Sequence, residues 1–260
     1  MRALVLTGDG INCERETALA CEQAGFQTAL IHINDFLVTN GKLLNNTQLF
    51  ILPGGFSFGD ELGSGKILAL KLKHGLSDGF QQYLSKGGLL LGICNGFQVL
   101  VRLEIFGSGI VLAQNSSGHF QNQWVRLKIS GQSVFTDPFL QQNIENLELP
   151  IRHGEGRLVF KPELSREAKA EHYKDGKATK YDEKKSMALF SNRQCPLQYT
   201  EDINGSWNQV AALSAYEGRV LGLMPHPEAF WTKELYPWGK NPKVPLGIEL
   251  FRNAYLFLKQ

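Results

Sequence analysis

An α/β fold built on one central, mostly parallel sheet is what the sequence predicts, and three observations carry it. Residues 89–93 (Leu-Leu-Leu-Gly-Ile) are too few for a helix and too uniformly apolar for a half-exposed strand, so they read as a strand covered on both faces. Apolar runs of this kind alternate with helical stretches from the first residues onward, the pattern of parallel βαβ units in a doubly wound sheet. With 260 residues and 43% hydrophobic content, the chain is long enough to bury one sizeable core.

The elements follow in order. Residues 2–7 read as a buried strand that runs into Gly8-Asp9-Gly10-Ile11-Asn12, where Asn12 is placed to cap a helix over 14–24. Gly25 stops that helix, and residues 28–33 and 48–52 supply the next two strands. The strand at 89–93 is followed by Phe97, Val99, Leu100, Val101 and Leu103, which suit a buried helix. From about residue 123 shorter alternating strands begin, such as 124–129, and predict an antiparallel extension smaller than the main sheet. Residues 161–185 are rich in Lys, Glu, Asp and Ala and read as a solvated surface insertion, with a helix over 163–173. Residues 209–213 and 219–224 are two strands turning at Glu217-Gly218, and 246–258 is an amphipathic closing helix.

Bulk properties exclude several classes. A formal charge of +2 gives no ground for a nucleic-acid or acidic-membrane partner. No apolar stretch spans a bilayer and no signal peptide leads the chain, so a cytoplasmic location is expected. Cys13, Cys21, Cys94 and Cys195 form no CxxC pair, so neither a disulfide framework nor a metal site is expected. No P-loop is present.

Crevices beyond the carboxyl ends of parallel strands are where such sheets place their chemistry. Two sequences fall there. Gly92-Ile93-Cys94-Asn95-Gly96 is G-x-C-x-G, a thiol form of the nucleophile elbow, where a sharp strand-to-helix turn lifts the nucleophile above the sheet. Free amides at the following helix start would favour the thiolate and help hold an oxyanion. Taken alone, the same five residues equally suit an inert buried cysteine. The loop Pro53-Gly54-Gly55-Phe56-Ser57-Phe58-Gly59-Asp60 contains a rival, the serine form G-x-S-x-G. Its crowded glycines argue against a helix directly behind Ser57, so the loop is better placed to offer backbone N–H groups near Gly55 and Phe56 to charge developing at Cys94.

Met224-Pro225-His226-Pro227-Glu228 tips the balance. Two residues apart in a stiff, extended segment, His226 and Glu228 point the same way, so the carboxylate can orient the imidazole towards a thiol. Cys13 has no such matched base and is expected to pack against the first strand; Cys21 reads as core and Cys195, before Pro196, as incidental. His32, His74 and His172 lack a constellation.

The order G-I-C-N-G-F-Q, then M-P-H-P-E, resembles the class I (triad) glutamine amidotransferases. Residues 10–14, PGGFSFGD at 53–60, NSSGHFQNQW at 115–124, HGEG at 153–156 and NGS at 204–206 narrow the resemblance to the glutaminase subunits of phosphoribosylformylglycinamidine synthase, over most of the chain. The resemblance implies a flavodoxin-like single domain over 1–260 and a Cys94-His226-Glu228 triad that releases ammonia from glutamine through a thioester. It implies an oxyanion and substrate site from Gly55, Phe56, Asn95, Gln98, His153, Gly154 and Glu155. It also implies no cofactor on this chain, with ATP and Mg acting on a synthase partner, and a possible small accessory subunit. Departures from the family pattern fall at Gly63, Ser64, His119, Gln123 and Ala229, and bear on docking rather than on the triad. Three other readings share these residues: an amidotransferase for another acceptor, a stand-alone cysteine hydrolase, and a non-catalytic docking subunit.

Overall fold

The structure is a computed structural model that describes residues 1–76, 79–160, 194–237 and 244–260. The strands are β1 (Arg2–Thr7), β2 (Gln27–His32), β3 (Leu49–Leu52), β4 (Leu89–Ile93), β5 (Ile110–Gln114), β6 (Gln121–Ile129), β7 (Asn146–His153), β8 (Glu155–Phe160), β9 (Leu197–Tyr199), β10 (Val210–Ala215) and β11 (Val220–Leu223). The helices are α1 (Glu14–Ala24), α2 (Ile33–Val38), α3 (Lys66–Leu76), α4 (Gly79–Ser85), α5 (Asn95–Arg102), α6 (Asp137–Gln141) and α7 (Leu246–Phe257).

Nine strands form one sheet in the order β2-β1-β3-β4-β11-β10-β9-β6-β7. The first five run parallel, and the remaining four continue the sheet antiparallel. The expected fold class holds, and its antiparallel extension begins where β11 turns back on β10 through Glu217-Gly218. Strands β3 and β4 are buried at every residue, as their unbroken apolar runs require between two helical layers. Helix α1 packs on α7, while α3 packs on α2 and α5. A separate antiparallel pair, β5 with β8, lies outside the main sheet and had no sequence counterpart.

One expectation fails at the start of α1. Asn12 does not cap it; Cys13 occupies the cap position, and its carbonyl accepts from the Thr17 amide at 3.1 Å and the Thr17 hydroxyl at 2.6 Å. Asn12 is held instead in the loop, where its Oδ1 faces the Cys13 thiol at 3.4 Å. Gly25 ends α1 in the left-handed region at φ 105°, as expected. The surface insertion at 161–185 and its helix at 163–173 lie outside the described residues.

Strand β1 pairs with β2 on one side and β3 on the other, so chain direction out of the sheet reverses between β1 and β3. That reversal opens a crevice at the carboxyl ends, where ligands bind in open α/β sheets. The loops after β1 and β3 meet there through a bridge between Ile11 and Gly55.

Candidate active site

Cys94 sits between β4 and α5 at φ 49° and ψ −103°, a conformation rarely adopted by a residue with a side chain. Both ends of the turn are fastened. The Cys94 amide donates to the Leu223 carbonyl of β11 at 2.8 Å, and its carbonyl accepts from the Gln98 amide at 3.1 Å. The flanking glycines are dictated by close approach: a Cβ on Gly96 would lie 1.8 Å from the Leu52 carbonyl oxygen, and one on Gly92 would lie 2.8 Å from the Gly96 oxygen. The G-x-C-x-G spacing is thus what lets α5 start directly against β3. The thiol faces the Arg152 carbonyl at 3.6 Å.

His226 enters from the end of β11, its amide donating to the Pro150 carbonyl at 2.8 Å. Nδ1 meets Glu228 Oε1 at 2.6 Å, and both residues are buried. Burial alone would lower the proton affinity of the ring. Burial is the largest single influence, but the Glu228 carboxylate, the charge of Cys94 and the hydrogen bonds of the Cys13 and Cys94 thiols together outweigh it and hold His226 well above the ordinary histidine range. Nε2 is buried without a hydrogen-bond partner of full geometry among the described residues.

Cys13 corrects the sequence reading. Its thiol does not simply pack against β1: a nitrogen of His226, a carboxylate oxygen of Glu228 and Cys13 Sγ all lie within 4.8 Å of one another. Gly54 is the contact between the loops, since a Cβ there would meet His226 Cε1 at 2.8 Å and Cys13 Sγ at 3.3 Å. Burial pushes the Cys13 thiol up, while its hydrogen bond to His226 pulls the other way.

A cavity of about 290 Å³ opens onto Cys94, His226 and Cys13, with Gly55, Phe56, Glu16 and Arg152 in its wall. Phe56 and Phe120 stack at its rim with centroids 6.4 Å apart, both about half exposed. A larger cavity of about 340 Å³ lies beside Lys42, Gln48, Lys86 and Gly88, before the starts of β3 and β4, and holds none of this chemistry.

The other expected site residues divide. Asn95 opens α5 directly behind the nucleophile, where first-turn amides have no partner within the helix. No hydrogen bond among the described residues takes the Gly55 amide, but the Phe56 amide donates to the Gly10 carbonyl at 2.8 Å. Phe56 is therefore not an oxyanion donor. The Gln98 side chain is also engaged, accepting from Asn95 Nδ2 at 3.0 Å and donating to the Glu155 carbonyl at 2.6 Å. It fastens the turn at 153–156 rather than reaching the cavity. His153 pairs its Nδ1 with Asn115 Oδ1 at 3.0 Å and, with Gly154 and Glu155, stands outside the wall of the cavity. Burial, and then the His226 charge, push His153 down to about 4. Ser57 is buried in a short helical turn without a histidine partner, which removes the serine reading. Among the departures, His119 and Gln123 are exposed, whereas Ser64 is buried and its carbonyl accepts from Arg102 Nε at 2.7 Å.

Sequence reasoning missed Cys13, Glu16 and Arg152. The first two follow β1 at the reversal point, so the crevice rule was the available signal for them. Arg152 carries none, since a lone arginine near the end of a strand is ordinary.

Comparison with known proteins agrees with this geometry. Residues 1–258 match the model of the CobB/CobQ-like glutamine amidotransferase domain. The chain is 35% identical over 276 residues to the phosphoribosylformylglycinamidine synthase subunit PurQ of Dehalococcoides mccartyi, covering 100% of this chain and 98% of that protein. It is 36% identical to the PurQ subunit of Methanococcus maripaludis, covering 87% and 81%. Among solved structures it matches a chain of PurLQS from Thermotoga maritima with a TM-score of 0.73 at 30% identity, over 99% of this chain and 98% of that one. A strained thiol elbow, a buried His–Glu pair and full-length similarity converge: this chain belongs to the CobB/CobQ-like glutamine amidotransferases, in the family of phosphoribosylformylglycinamidine synthase subunit PurQ.

Proposed function

We propose that this chain hydrolyses glutamine at Cys94 and supplies the ammonia to a phosphoribosylformylglycinamidine synthase. The Cys94 thiolate attacks the side-chain carboxamide carbon, and the resulting oxyanion is received by the Asn95 and Gly55 amides, each worth about 3–4 kcal/mol to the transition state. Collapse of the tetrahedral adduct breaks the C–N bond as His226 gives its proton to the departing ammonia. The neutral imidazole then takes a proton from water, which cleaves the γ-glutamyl thioester to glutamate and returns the thiol. Glu228 keeps the ring oriented and stabilises its imidazolium form throughout.

Besides His226, the cavity wall carries Arg152 and Glu16, a cation and an anion that match the α-carboxylate and α-ammonium of glutamine. That pair replaces the turn at 153–156 as the reader of the amino-acid head group. The observation that carries the proposal is the 2.6 Å His226–Glu228 contact sharing a cavity with a nucleophile held at φ 49°.

The Thermotoga neighbour is described as part of a PurLQS assembly, and by that likeness the partner here is an ATP- and Mg-dependent synthase subunit, with a small accessory subunit. No cofactor resides on this chain, and the reaction belongs to the cytoplasm. Glutamate release from glutamine, measured on the chain assembled with its synthase, tests the chemistry. Cys94→Ala should abolish glutamine-dependent amidine formation while free ammonia still supports it; glutamine turnover retained by that variant would overturn the mechanism.

A further inference from the structure

The glutamine chemistry leaves unused a buried thiol that stands beside its own base, Cys13. Cys13 is 8% exposed and stands with His226 and Glu228, 2% and 0% exposed, in a triangle whose ligand-type atoms lie within 4.8 Å of one another. Those atoms are a thiol sulfur, a ring nitrogen and a carboxylate oxygen. A tetrahedral Zn²⁺ ion, with sulfur at about 2.3 Å and nitrogen or oxygen at about 2.0–2.1 Å, spaces such ligands roughly 3.3–3.6 Å apart. Side-chain shifts of about 1 Å therefore close the site.

Two further observations point to a ligand here. Glu228 Oε2 is buried with no hydrogen-bond partner among the described residues, and His226 Nε2, facing only thiols, has none of full geometry, although buried polar atoms are ordinarily satisfied. The charges also balance. One thiolate and one carboxylate neutralise a divalent cation, which a buried site requires. The sulfur and imidazole donors suit Zn²⁺, Co²⁺ or Cd²⁺, whereas Mg²⁺ and Ca²⁺ prefer all-oxygen sets. The adjoining cavity gives a cation a route in from the Cys94 side.

We propose that Cys13, His226 and Glu228 bind a divalent cation of the Zn²⁺ class, and that its occupancy switches glutamine hydrolysis off. The cation takes the Cys13 sulfur with loss of the thiol proton, accepts a lone pair from a ring nitrogen of His226 and recruits a Glu228 oxygen. The base and its orienting carboxylate are then both withdrawn from Cys94. The switch rests on His226 serving that thiol, as set out above, whereas cation binding is measurable without turnover.

Cobalt supplies the probe. In the Cys94→Ser chain, titrated Co²⁺ should give a thiolate-to-cobalt charge-transfer band that Zn²⁺ bleaches, and the band should vanish in the Cys13→Ser/Cys94→Ser chain. Zn²⁺ should also protect Cys13 of the Cys94→Ser chain from alkylation by iodoacetamide, a readout that needs no change at Cys13. In the assembled enzyme, Zn²⁺ should inhibit glutamine hydrolysis reversibly on chelation, and Cys13→Ser should raise the inhibitory concentration at least tenfold. No cobalt band in Cys94→Ser, no protection of Cys13, or equal Zn²⁺ sensitivity with and without Cys13 would each overturn the proposal. A cobalt band in a chain that never hydrolyses glutamine would instead count against the glutaminase reading alone.

Discussion

Adding one methyl group at Gly96 is expected to disable the enzyme while leaving its chemistry-bearing side chains untouched. The Cβ of Gly96→Ala would stand 1.8 Å from the Leu52 carbonyl oxygen and 2.6 Å from its carbon, and real contacts of this kind are essentially never under 3.0 Å. Leu52 ends a strand paired on both sides and fully buried, so its carbonyl cannot rotate away. The start of α5 must therefore retreat by more than 1 Å, taking the Asn95 amide and the elbow with it. Overpacking of a rigid core costs about 1–3 kcal/mol. At roughly 2–4 °C per kcal/mol for a domain approaching this size, the melting temperature should fall by about 2–12 °C. A displacement of about 1 Å at the reacting atoms should lower kcat about 100-fold. Gly154→Ala is the control, because its nearest neighbour is Phe120 Cδ2 at 3.8 Å, an ordinary contact. Thermal melts and glutamate release from glutamine would be measured on both variants. If Gly96→Ala melts within a degree of the parent and keeps half its kcat, the close approach of α5 to β3 is not what shapes the elbow.

Glu228→Gln removes the largest of the influences that offset burial at His226, so the ring's proton affinity should fall and kcat should drop about 100-fold or more with KM little changed; steady-state kinetics decides this, and an unchanged kcat would remove Glu228 from the mechanism. His153 gives a stability prediction with a definite sign. Its folded value of about 4 lies below the ordinary 6.5, so the unfolded chain takes up the proton first. Stability should therefore decline as pH falls from about 6.5 to about 4, by about 3 kcal/mol in all, and level off below that. Urea midpoints across that range should flatten in His153→Asn relative to the parent; parallel pH profiles would show that His153 is not the titrating group.

Much of this arrangement is legible in the sequence because it rests on local constraints. Residues 89–93 cannot avoid being a buried strand, Gly92 and Gly96 announce a tight turn about Cys94, and His226 is paired with Glu228 as expected, although a 3-10 turn over Pro227–Ala229 rather than an extended segment brings them together. What the sequence hides are meetings between distant loops. That Phe56 spends its amide on Gly10 follows from the bridge between the β1 and β3 loops, which no local pattern encodes. Cys13 reaches His226 for the same topological reason, across 213 residues of chain. The miss at the α1 cap is of another kind: Asn12 is the better capping residue, and the loop's engagement with Gly54 shifted the cap by one position.

The Asn95 side chain accepts from the Ser57 amide at 3.3 Å, donates to Asp60 Oδ1 at 3.1 Å and reaches the turn at 153–156 through Gln98. Three loops separated by up to about a hundred residues thus share one amide group as their common tie. Loops joined in this way cannot fray one at a time, so their opening belongs to a single cooperative unit. The same tie restrains divergence: a substitution at Asn95 disturbs the PGG loop, the elbow and the 153–156 turn together, and a tolerated change there has to arrive with matching changes in all three.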